Sequence, residues 1–272
     1  MASFNGNIIY KSKHPDGDAI IAEHDSTRYL YLGSGTIQSA MNLQKPNELK
    51  LTYTQSMMGF LLLTSPPKRC LSLGLGGGAL VKYLLTHQAA IHIDTVEIRQ
   101  DIIDLAHSHF FVPRDNRLNI YANDAHQFIQ QKANNNEEGY DVIFVDAYDQ
   151  HGLASSIERN TFFDNCLQLL NPNGVLALNM WASSSHQLKH YIEQLHLSSD
   201  SQPLCLPVAE RGNVIVFVSK KILTTQGLKH LKKHAIQLEK QFNLPFTGFL
   251  RDLIKHNNHN WLQRLFNKVS SK

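Results

Sequence analysis

The residues able to do chemistry in this chain sit where apolar runs give way to glycines and carboxylates. Gly74, Gly76, Gly77 and Gly78 follow the apolar run 71–73, and helical character begins at Ala79. A strand, a glycine turn and a helix N-terminus predict a backbone cradle with inward amides, which suits a nucleotide or an anion. Glu97 ends the next apolar run, 91–96, about twenty residues on, where a carboxylate can take the ribose hydroxyls of an adenosine ligand. Asp124, and then Asp146 with Asp149, follow two further runs. Several carboxylates around one crevice suit a ligand with hydroxyls and positive charge. No Gly-Lys-Ser/Thr follows the glycines, which argues against a nucleoside triphosphate.

These residues need a scaffold that brings strand ends to one edge. Strands are expected at 70–73, 91–96, 118–121, 141–145 and 175–180, alternating with helices at 79–86, 101–110, 125–132, 160–170 and 184–196. Such repeats imply a parallel sheet with helices on both faces and ligands outside the carboxyl ends of the strands. Runs 205–208 and 213–218 follow without a helix between them, so the sheet should finish as an antiparallel hairpin. Asn171-Pro172-Asn173-Gly174 reads as a turn before the strand at 175. Ahead of the glycines, 19–24, 28–32 and 36–41 read as strands, with Asp25 and Ser26 as turn residues. The stretch 49–63 reads as one helix ended by Ser65-Pro66-Pro67, and 224–266 as mainly helical with a break near Pro245. Leu228, Leu231, Ile236 and Leu238 give that tail its apolar spacing. The expected fold is α/β: a seven-stranded Rossmann-like sheet over 46–220, a small N-terminal β unit over 1–45 and a helical extension over 221–272.

Composition narrows the class. At 42% hydrophobic and 18% charged, the 272-residue chain is ordinary globular material. A net charge of +3 with scattered Lys and Arg argues against nucleic acid. Cys70, Cys166 and Cys205 cannot all pair and lack metal-ligand spacing, so buried thiols in a reducing cytoplasm are expected. No apolar run approaches about 18 residues, and no signal pattern opens the chain, so no membrane partner is expected. His186 with His190, and His230 with His234, are spaced i, i+4, but neither pair has a third ligand or the Glu of a metalloprotease motif, so no metal is expected.

Several motifs in one order resemble the spermidine synthase family of polyamine aminopropyltransferases, built on the S-adenosylmethionine-dependent methyltransferase fold. Leu73-Gly74-Leu75-Gly76-Gly77-Gly78 resembles its first motif, Val96-Glu97-Ile98-Arg99 its ribose-binding strand end, and Asn123-Asp124-Ala125 its adenine-contacting motif. Val145-Asp146-Ala147-Tyr148-Asp149 resembles the paired-aspartate motif, Ile37-Gln38 the end of the N-terminal strand motif, and Leu51-Thr52-Tyr53 the segment whose tyrosine faces the amine. The resemblance covers 28–220. It implies a cytoplasmic enzyme, commonly a dimer, that moves an aminopropyl group from decarboxylated S-adenosylmethionine to an amine. In that reading Asp146 is the base, Asp149 holds a second ammonium, and Gln38, Tyr53 and Gln55 line the opposite wall. Gly74, Gly76, Gly78, Glu97, Asp124 and Ala125 hold the adenosyl donor.

The chain also departs from the family pattern. Gly77 stands where the family carries an aspartate for the aminopropyl amine, Arg99 where it has an aspartate, and Gln150 where a proline is common. Gln55 replaces an acidic residue. The changes at 55, 77 and 99 each remove negative charge near a site for polycations. A methyltransferase using intact S-adenosylmethionine on the same scaffold, and a non-catalytic adenosyl-binding scaffold, are the alternatives. Gly74-x-Gly76-x-x-Ala79 also fits a dinucleotide pattern. Local roles are open too: Asp124 as a helix cap, Asp146 and Asp149 as loop carboxylates, and Tyr53 as a core residue.

Overall fold

Asp25 and Ser26, both at positive φ (46° and 57°), form the two-residue turn that matches the twist of a hairpin. That hairpin joins β2 (Ala19–His24) to β3 (Thr27–Leu32). With β1 (Asn7–Ser12) and β4 (Ile37–Asn42) they make an antiparallel sheet in the order β1-β2-β3-β4. The sequence reading missed β1, because this edge strand is largely exposed along its length and shows no apolar alternation. The computed structural model describes residues 6–33, 35–135, 139–149, 152–153, 161–181, 185–199, 201–208, 212–220 and 225–257, side chains at 148–149, 152–153, 185–187 and 225 excepted.

The stretch expected as one helix at 49–63 is two pieces. Helix α1 (Thr52–Met57) passes into a 3-10 turn over Met58–Leu62. Every residue of that turn is buried, and a Cβ at Gly59 would touch Phe217 at 3.0 Å. Packing on all sides erases the amphipathic period that separates helix types.

The larger sheet begins with β5 (Arg69–Leu73) and α2 (Ala79–His87), then β6 (His92–Glu97) and α3 (Gln100–Ser108). Next come β7 (Leu118–Ala122), α4 (Ala125–Asn134) and β8 (Tyr140–Val145). A two-residue pair, β9 (Tyr148–Asp149) and β10 (Gly152–Leu153), precedes α5 (Phe162–Gln168) and β11 (Leu170–Trp181). Helix α6 (Ser185–Ser199), β12 (Leu204–Pro207) and β13 (Asn213–Ser219) complete it. The strand order is β12-β13-β11-β8-β5-β6-β7. Pairs from β11 to β7 are parallel, and β13 is antiparallel to both its neighbours, as the sequence led us to expect. Asn171 to Gly174 is the exception. Leu170 pairs with Tyr140 and Val175 with Val142, so the quartet bulges within β11 instead of preceding it.

Both faces of the sheet are covered. On β8, Val142 and Phe144 join a core with α2, α8 and α9, while Ile143 and Val145 join another with α4, α5 and α6. The tail is α7 (Thr225–Lys229), α8 (Lys232–Phe242) and α9 (Phe246–His256). Asn243 in the left-handed region and Pro245 divide the last two helices. Ala235, Leu238 and Phe242 face the core, whereas Ile236, expected there, is exposed. All three cysteines are free and buried. Among the described residues no helix is long and apolar enough to cross a membrane.

Candidate active site

The chain runs outward from β5 to β7, then returns through β8 to the other side of the sheet. Such a reversal opens a crevice at the carboxyl ends of the two central strands. Gly74 follows β5 and Asp146 follows β8, and the Asp146 amide donates to Leu73 O at 2.9 Å. A Cβ at Gly74 would lie 2.3 Å from Asp146 O, and φ is +98°, so only glycine fits. The cavity there is bounded by Ser39, Tyr53, Gly74, Leu75, Gly78 and Asp146.

Asp146 keeps a partly exposed edge toward this cavity. The protein packed around its carboxyl group nonetheless pushes its pKa up to about 6, against hydrogen bonds from Asn179 and Tyr53 that pull it down. Asn179 Nδ2 donates to Oδ1 at 2.8 Å, and the Tyr53 hydroxyl donates to Oδ2 at 3.2 Å. Tyr53 also reaches Gln38 O at 3.4 Å, so one hydroxyl proton is shared between two acceptors. Gln38 thus enters the site through its carbonyl. A carboxylate with a pKa near neutrality can accept a proton during turnover.

Glu97, at the end of β6, is held by backbone instead. Its Oε2 accepts from the amides of Leu75 (3.1 Å) and Gly76 (3.4 Å), and its Oε1 from Arg99 N–H at 3.1 Å. Burial raises its pKa, and those amides with the Arg99 charge offset part of the rise. Three of roughly four acceptor positions are used, which leaves capacity for a hydroxyl donor. Gly77 N–H donates to Ser39 Oγ at 2.8 Å. The expected open anion cradle is therefore corrected: these amides already meet protein acceptors, and a pyrophosphate would find them engaged. This disfavours the dinucleotide pattern.

The remaining candidates divide. Asp124 caps α4, accepting from Gln127 N–H at 2.9 Å, with Ala125 as the first helical residue. Asn123 N–H donates to the Glu97 backbone carbonyl at 3.1 Å, so this corner adjoins the end of β6. Gln55 is not brought in: its Nε2 donates to Leu49 O at 2.8 Å and it is absent from the cavity wall. The Arg99 guanidinium turns away to Asp101 (2.7 Å) and Gly17 O (2.7 Å). The side chain of Asp149, Gln150 and the His186 side chain lie outside the described residues. His234 Nε2 meets Leu61 O at 3.1 Å rather than its i−4 neighbour.

Sequence reasoning missed Ser39, Asn179 and Lys82. Asn179 had a signal, a polar residue near the end of an apolar strand beside other strand-end carboxylates. Ser39 and Lys82 had none. Lys82 Nζ donates to Phe110 O (2.6 Å) and Met41 Sδ (3.0 Å), and burial lowers its pKa to about 8. A Cβ at Gly77 would meet Phe110 Cδ1 and Ser39 Cβ, each at 2.9 Å. A side chain at 77 therefore has no room.

Residues 50–225 match the family model for the spermine/spermidine synthase domain. A polyamine aminopropyltransferase of Neisseria meningitidis serogroup A is 32% identical over 242 residues, 88% of this chain and 90% of the relative. Spermidine synthase from Thermotoga maritima superposes with a TM-score of 0.74 at 15% identity, covering 96% of this chain and 88% of that one. Human methyltransferase-like protein 13, solved with SAH, gives 0.64 at 24% identity over 72% of this chain and 94% of that one. At these identities the two structures speak for the fold alone.

Proposed function

Because the chain belongs to the spermine/spermidine synthase family, we propose that it transfers an aminopropyl group from decarboxylated S-adenosylmethionine to an amine. One observation carries the reading: Asp146, at the mouth of the crevice, is held by Tyr53 and Asn179 with its pKa near 6. An alkylammonium has no lone pair, so attack requires a group that takes its proton, and Asp146 is that group. The bound donor supplies a methylene beside a sulfonium. The amine nitrogen forms the new C–N bond, the C–S bond breaks with its electrons going to sulfur, and the released proton goes to Asp146. Methylthioadenosine is the leaving group. Tyr53, hydrogen-bonded to Oδ2, keeps the carboxylate aimed during the transfer.

The donor residues of this chain fit an adenosyl group. Glu97 has acceptor capacity left for a ribose hydroxyl, and Gly74 and Gly78 form a wall without side chains. Asp124 and Ala125, next to the Asn123 amide that donates to Glu97 O, are assigned the adenine edge. Asp149 is assigned the second ammonium of the acceptor. The N-terminal unit, 1–45, closes the site through Ser39 and Gln38 over the catalytic unit, 46–220, with 221–272 as an extension whose described part, 225–257, packs on the sheet. The same reading makes the protein a cytoplasmic enzyme that works as a homodimer.

Calorimetric titration with S-adenosylmethionine, its decarboxylated form and methylthioadenosine tests this. Preference for the decarboxylated form is expected. Preference for intact S-adenosylmethionine would move the protein to methyl transfer, and binding of none would end the adenosyl reading.

A further inference from the structure

Strand β4 bulges where it meets the crevice. Leu30 pairs with Ser39 and Tyr31 with Ile37, so Gln38 is an extra residue in the ladder. A bulge re-aims the side chains beside it. Here it accompanies the Gln38 carbonyl at the Tyr53 hydroxyl and the Ser39 hydroxyl at the glycine turn. Ser39 Oγ accepts from Gly77 N–H at 2.8 Å, and a Cβ on Gly77 would lie 2.9 Å from Ser39 Cβ. Ser39, with Phe110, therefore fills the space that a side chain at 77 would need. It is 9% exposed and lines the cavity.

A hydroxyl has one proton and two acceptor positions. Gly77 N–H takes one acceptor position, and nothing else among the described residues bonds the Ser39 side chain. Ser39 thus keeps hydrogen-bonding capacity on the cavity wall. The donor proposed above ends its transferable chain in an ammonium, which needs an acceptor. Among the described residues bounding the cavity the one carboxylate is Asp146, and it must stay free for the proton of the attacking amine. We propose that Ser39 is a donor-binding residue whose hydroxyl oxygen receives the ammonium of the transferable aminopropyl chain. The assignment rests on the transfer reading and names the partner of a charge that reading leaves unpaired.

Calorimetry on the full chain with two ligands tests it, because methylthioadenosine has the adenosyl group and lacks the aminopropyl chain. In Ser39→Ala the Kd of decarboxylated S-adenosylmethionine should rise about ten- to hundred-fold relative to that of methylthioadenosine, the worth of a hydrogen bond to a charged group. A Ser39 that merely holds the Gly77 amide would weaken both ligands together and leave the ratio of Kd values in place, which would overturn the proposal. So would a variant that binds both ligands as wild type does. Should Ser39→Ala not fold, Ser39→Cys decides: a thiol is a poor acceptor, so the ratio should move the same way, and an unmoved ratio overturns the proposal. Methylthioadenosine release by wild type with an unmoved ratio in the variant keeps the transfer reading and overturns the Ser39 assignment. Wild type that prefers intact S-adenosylmethionine overturns the transfer reading, and the Ser39 assignment falls with it.

Discussion

The site contains two enclosed carboxylates, and they are held in opposite ways. Glu97 is gripped by the amides of Leu75, Gly76 and Arg99. Asp146 is held by side chains, Tyr53 and Asn179. Burial raises the pKa of both. Backbone donors are present whatever residues occupy those positions, so the grip on Glu97 does not depend on neighbouring side chains. Side-chain donors can be tuned, and a tunable carboxylate is what a proton transfer needs. Anchoring by backbone suits binding, and anchoring by side chains suits chemistry.

The largest break comes from Asp146→Asn. It should lower kcat by about 10²–10⁴-fold and leave methylthioadenosine affinity within a few-fold, measured by single-turnover product release and calorimetry. Retained turnover would show that the side-chain-held carboxylate is not the base. Glu97→Gln should act on binding instead. Its amide N–H would oppose backbone donors, weakening donor affinity about ten- to hundred-fold and costing about 1–3 kcal/mol of stability. If kcat fell and Kd did not, the division between the two carboxylates would be wrong.

Gly77→Asp sharpens the comparison at the loop between them. A carboxylate there has no room against Phe110 and Ser39, so the variant should lose about 1–3 kcal/mol by overpacking. Phe110→Ala should restore part of that in chemical denaturation. An additive, unrescued loss would mean that the conflict lies elsewhere.

The smallest effect is on stability against pH. The folded pKa of Asp146, about 6, lies above the ordinary 3.8. The folded state therefore binds more protons between those values, and stability falls as pH rises through that window. By neutral pH the loss from this group is about 2–3 kcal/mol. Asp101 and Asp141 are held low, by Arg99 and by Asn171 with backbone amides, and slope the other way. The difference between wild type and Asp146→Asn isolates the term. It should grow from pH 4 to 7 and be flat if Asp146 titrates normally.

Much of this frame could be read from residue order. The glycine turn, Glu97 and Asp146 announce themselves because each breaks an apolar run, and β–α alternation then places them on one edge. Tyr53 was legible only through resemblance, since an amphipathic tyrosine on a short helix has many ordinary uses. Ser39 and Lys82 were not legible. Their roles depend on contacts across the fold, from Ser39 to Gly77 and Lys82 to Phe110. Local spacing carries no trace of such contacts. Arg99 shows the converse: a charge that looked positioned for the site is turned to Asp101 and Gly17 by a loop that local pattern does not foresee.

The most direct test is product identification. Purified protein is incubated with decarboxylated S-adenosylmethionine and a series of diamines, and the adenosyl product is resolved chromatographically for wild type and Asp146→Asn. The account predicts methylthioadenosine from wild type and none above background from the variant. Adenosylhomocysteine from intact S-adenosylmethionine, or equal methylthioadenosine from both proteins, would contradict it.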